Sequence, residues 1–82
     1  MQIFYKEEAI KNLKNIHASD KQKAKKKIES LLANPLLGKK LKGEFSELRS
    51  LRAWPLRIIY LFNPEAKTIT IITVDYQGNV YK

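Results

Sequence analysis

Apolar and polar positions recur along this chain with two different periods, and the change of period marks out its elements. Met1 to Tyr5 is short and rich in aromatic and β-branched residues, and it reads as a strand. From Glu7 to Ile16 the spacing turns helical, with Ala9, Ile10, Leu13 and Ile16 on one face and Glu7 and Glu8 suited to the dipole of the first turn. Ser19 and Gln22 have the spacing of a capping box, which predicts a second helix from Ser19 as N-cap to about Ala33. Its apolar stripe is Ala24, Ile28, Leu31 and Leu32, and Asn34-Pro35 stops it. Glu47 to Trp54 then reads as a strand, and Pro55 makes the turn. Leu56 to Phe62 is almost wholly apolar, as expected of a central strand buried on both faces. Asn63 to Lys67 supplies turn chemistry, Thr68 to Val74 a further strand, and Val80 to Lys82 a short last strand or tail.

The order is β-α-α-β-β-β. Strands joined by tight turns run antiparallel, so the last three form a meander. The first strand joins that meander at an edge or in its middle. The expected fold is α+β: an antiparallel twisted sheet with a two-helix hairpin packed on one face, the other face left for a partner or substrate. Residues 1–82 read as a single domain, with no repeats, low-complexity segments or linker.

Charge sharpens this picture. Sixteen Lys and Arg against eight Asp and Glu give a formal net charge of +8. A polyanionic partner is favoured: nucleic acid, a ribosome, an acidic protein or a membrane surface. Lys21, Lys23, Lys25, Lys26 and Lys27 crowd the second helix, as a solvated face or a steering surface for phosphates. Lys39, Lys40 and Lys42 make a basic loop without Walker-A spacing. Arg57 enters the central strand, and Arg49 and Arg52 lie on the strand before it. Glu44 and Glu47 are near enough in sequence to pair with them; alternatively the arginines converge as an anion site suited to phosphate. Arg49 and Arg52 have opposite strand parity, so a regular strand cannot aim both the same way. The chain has no cysteine and one histidine, His17, which reads as a surface residue at a helix end. Neither metal nor cofactor is expected. No apolar run approaches membrane-spanning length, and the chain reads as soluble and cytoplasmic.

Order and residues together resemble the RelE/ParE superfamily of type II toxin–antitoxin toxins, in its HigB-like and RelE-like branch. The carriers are Ile3-Phe4-Tyr5 followed by Glu8-Ala9 and Leu13, then Leu41-Lys42-Gly43, then Leu48-Arg49 and Arg57-Ile58-Ile59-Tyr60, and finally Val80-Tyr81. The resemblance implies a toxin neutralised by a cognate antitoxin. RelE-like members cut mRNA in the ribosomal A site, which makes ribosome and mRNA the expected partners. ParE-like members share the fold but poison DNA gyrase, and an inactive nucleic-acid-binding relic is a third reading.

The same resemblance assigns roles. Arg57 matches the family's phosphate-binding arginine at the start of the central strand, and Tyr81 the tyrosine near the C-terminus that contacts a substrate base. Arg49 and Arg52 stand on the strand where other members carry lysine or arginine. These four form the expected catalytic set, with Lys40, Lys42 and Tyr76 binding substrate. Many active members carry Arg or His between the last strand and the tyrosine; here Asp75-Tyr76-Gln77-Gly78-Asn79 has neither. The base for the ribose 2′-hydroxyl then falls to Asp75, Glu47 or a lysine such as Lys40 or Lys42.

Overall fold

The structure is a computed structural model and describes residues 1–43 and 47–79. Its elements are β1 (Gln2–Tyr5), α1 (Glu7–Lys14), α2 (Ala18–Ser30), β2 (Lys39–Lys40), β3 (Leu48–Ala53), β4 (Leu56–Asn63) and β5 (Thr68–Tyr76), followed by a 3-10 turn, Gln77–Asn79. The α+β architecture and the antiparallel meander are as expected, with two additions. The two-residue β2 pairs with β3 and starts the meander. β1 runs parallel to β5, so the sheet is mixed, in the order β1-β5-β4-β3-β2. The helices carry the chain from one edge to the other, and the meander walks back until β5 meets β1 in the same direction.

One face of the sheet holds the core. Leu51, Ala53, Leu56, Ile58, Tyr60, Ile69, Ile71 and Val74 pack with Ala9, Ile16, Ala24, Ile28 and Leu31 of the helical segment. Alternation explains all but one pair. Ile71 and Val74 are three residues apart and should point oppositely. The register between β4 and β5 shifts at Ile59 and Tyr60, which pair with Thr73 and Ile71, leaving Ile72 as the extra residue of a bulge. That inserted residue returns both side chains to the core side.

The helices differ from expectation at their ends. α2 begins at Ala18 with His17 as N-cap, and no side-chain cap bond forms. Ser19 therefore lies inside the first turn, and the Ser19–Gln22 capping box is not made. α1 stops at Lys14, although Ile16 still reaches the core from the turn. Ile10 and Leu32, expected on apolar stripes, are exposed. Among the described residues no helix is long and apolar enough to cross a membrane.

Candidate nucleic-acid interface

Arg57 follows Leu56 and precedes Ile58, both fully buried on the helix side, so alternation turns Arg57 to the opposite, helix-free face. Its register partner on β3 is Arg52, flanked in the same way by buried Leu51 and Ala53, and on the other side it pairs with Asp75 of β5. Arg52, Arg57 and Asp75 thus form one cross-strand row. Arg49 has the parity of Leu51 and goes to the helix side, where its Nη1 donates to the Gly38 carbonyl at 2.8 Å. The expected catalytic arginines are therefore divided: Arg52 and Arg57 stand together, and Arg49 does not join them.

Arg52 and Arg57 line a groove of about 510 Å³ at the β2 end of the sheet. Lys39 and Lys40 from β2 and Lys27 from α2 complete its charged wall, with Ser50 and the leucines 37, 41 and 51 between. Among the described residues, five cations and no carboxylate line this space. Such a groove concentrates phosphate-bearing ligands, and paired guanidinium groups can hold phosphate oxygens in bidentate fashion.

The β2 lysines owe their placement to Tyr60. Its side chain is fully buried, its hydroxyl donates to the Pro35 carbonyl at 2.8 Å, and it accepts from the Gly38 amide at 2.9 Å. Arg49 closes the set on the Gly38 carbonyl. This ties the 35–38 segment to the sheet and delivers Lys39 into register with Ser50. A Cβ on Gly38 would sit 2.7 Å from the Tyr60 ring and 2.9 Å from the Ser50 carbonyl oxygen, so only glycine passes. Burial raises the Tyr60 pKa above its ordinary 10.0; the Gly38 hydrogen bond and the Arg49 charge oppose that rise without cancelling it. Tyr60 stays a neutral anchor.

The other expected site residues are scattered. Lys40 is exposed and borders both the cationic groove and a second groove of about 600 Å³ lined also by Glu47, Arg49, Leu36 and Phe62. Lys42 is exposed and lines neither. Tyr76, expected to bind substrate, is half-buried: its ring packs on the core, and its hydroxyl donates to Asp20 Oδ2 at 3.1 Å and accepts from the His17 amide at 3.4 Å. Tyr81 lies outside the described residues. Asp75 shares the Arg57 row, and its Oδ1 accepts from the Tyr76 amide at 2.8 Å. Sequence reasoning missed Lys27 and Lys39 as site residues. Lys39 sat in the basic loop beside Lys40, whereas nothing local separates Lys27 from the four other lysines of α2.

Comparison with known proteins agrees with this architecture. The chain matches, over residues 3–81, the family described as the ParE toxin of the type II toxin–antitoxin system parDE. No curated protein matches it by sequence. Among solved structures it is similar to the RelBE2 toxin–antitoxin complex of Mycobacterium tuberculosis, with TM-score 0.85, 23% identity, and 93% of this chain and 96% of that chain covered. The YoeB/ParE toxin of Agrobacterium tumefaciens gives TM-score 0.82 at 16% identity, covering 94% and 99%. The intact Escherichia coli RelBE toxin–antitoxin complex gives 0.75 at 20%, covering 90% and 93%. At such identities these structures speak to the fold, and the family match carries the assignment: the chain belongs to the ParE toxin family of type II toxin–antitoxin systems.

Proposed function

We propose that this toxin is a metal-independent endoribonuclease that cuts mRNA on the ribosome and so stops translation. The observation that carries the reading is the cross-strand pairing of Arg52 with Arg57 beside a groove that, among the described residues, is lined by five cations and no carboxylate. In the proposed reaction a ribose 2′-oxygen attacks the adjacent phosphorus and the bond from phosphorus to the 5′-oxygen breaks. The products are a 2′,3′-cyclic phosphate and a free 5′-hydroxyl. Arg52 and Arg57 neutralise the charge that builds on the phosphoryl oxygens. A groove lysine, Lys39 or Lys40, donates a proton to the departing oxygen. Asp75, the described carboxylate in register with Arg57, is the first residue to test as acceptor of the 2′-hydroxyl proton. Tyr81 keeps the base-contacting role that the resemblance gives it. The ribosome positions the mRNA, the site of action is the cytoplasm, and the toxin's partner is a cognate antitoxin, as RelB is for RelE in the similar complexes.

The test is induction of the toxin alone, with RNA ends and gyrase–DNA adducts followed in one culture. Codon-positioned cuts that vanish in Arg57→Ala support the proposal. The family model is described for parDE, which gives the second reading its weight: trapped gyrase–DNA complexes with intact mRNA would replace the nuclease by a gyrase poison.

A further inference from the structure

Trp54 is the chain's single tryptophan and, among the described residues, the most exposed large apolar side chain, at 69%. It occupies the turn of the hairpin whose strands carry Arg52 and Arg57. An indole so placed adds nothing to the core. It lines a third depression, of about 490 Å³, together with Leu37, Ala53, Lys23, Lys26 and Lys27. Leu37 and Lys27 also line the cationic groove, so the two depressions adjoin. Among the described residues no carboxylate lines either one, although Asp20 lies 3.8 Å from Lys23 on the α2 surface.

We infer that Trp54 and the α2 lysines form a base-stacking site that holds a single-stranded RNA nucleotide outside the cleavage groove. The inference rests on the RNA reading of that groove and extends it to a separate surface. Single strands are held by cations that follow the backbone together with aromatic faces that stack on bases. Both parts are present here, joined by Lys27. A strand whose phosphates lie along Lys39, Arg52 and Lys27 is led over Leu37 to the indole. Lys23 and Lys26 then flank the next phosphates. The ligand class is single-stranded RNA of any sequence, because every base offers a π-face.

The single tryptophan makes the test specific, since all indole emission comes from this site. The probe is a 2′-O-methyl oligouridylate, which lacks the attacking hydroxyl and cannot be cut. Saturable quenching of Trp54 is expected, weakening as salt rises. An abasic oligonucleotide of equal length should bind in the same salt-dependent way without quenching. Trp54→Ala should loosen the uridylate roughly ten-fold by anisotropy, the size of one base stack, and Trp54→Phe should restore most of it. The side chain is exposed, so these variants keep the fold. Unchanged binding by Trp54→Ala together with unquenched emission overturns the site. So does a blue shift produced by an acidic leucine–glutamate peptide but not by RNA, which marks a protein dock instead. Failure here is separable from failure of the nuclease: a protein that cuts mRNA with a silent Trp54 loses only the stacking site, and one that quenches but never cuts loses only the nuclease.

Discussion

Replacing Tyr60 by phenylalanine removes one oxygen and leaves the Gly38 amide and the Pro35 carbonyl without their partner. Losing a buried hydrogen-bond partner costs about 1–3 kcal/mol, and urea unfolding should register a loss of that order. The pH dependence has a fixed sign. Folding raises the Tyr60 pKa above 10.0, so the native state holds this proton more tightly than the unfolded chain. Its contribution is complete below about pH 10 and is lost as pH rises towards the folded value. The stability of the parent should therefore fall more steeply above pH 10 than that of Tyr60→Phe; parallel curves would deny the anchor. Gly38→Ala attacks the same joint by overpacking, at a cost of about 1–3 kcal/mol. An alanine variant as stable as the parent would contradict the close approach at this position.

At the scale of elements, β4 decides which cations can work together. Its alternation sends Leu56, Ile58 and Tyr60 to the core and Arg57 to the open face, and its pairing with β3 brings Arg52 alongside. That much was legible in the chain: the apolar run marked a central strand, and parity alone separated Arg49 from Arg52. The bulge at Ile72 was not legible, because Thr68 to Val74 reads as an unbroken β-branched run and the insertion exists only relative to β4. The parallel β1 was hidden for a similar reason, since a strand's neighbour is chosen by the whole sheet. Ser19 misled by carrying capping chemistry two residues past His17, where the chain turns into the helix. The core contact and the Asp20 bond of Tyr76 were not legible either, because they come from distant segments. Lys27 differs from its neighbours on α2 only once that helix is laid against β3. Neutralising it should reduce the slope of log affinity for single-stranded RNA against log salt by about 0.7, the share of one phosphate contact. Lys11→Ala, on the exposed side of α1, should leave the slope unchanged.

Over the whole molecule the two faces of the sheet have separate tasks. One is filled by helices and supplies stability. The other carries Arg52 and Arg57 in register beside the buried Ile59, and the net charge of +8 draws polyanions to the molecule. Arg57 stands where that charge meets the sheet, and a cation that stabilises a charged transition state is worth about 10²–10³ in rate. The most direct measurement is single-turnover cleavage of an mRNA bound to programmed ribosomes, comparing the parent chain with a folded Arg57→Ala variant. A cut at the A-site codon by the parent, slowed in the variant by about 10² or more, is the expected result. Intact mRNA with the folded parent chain, or equal cutting by both proteins, would contradict it.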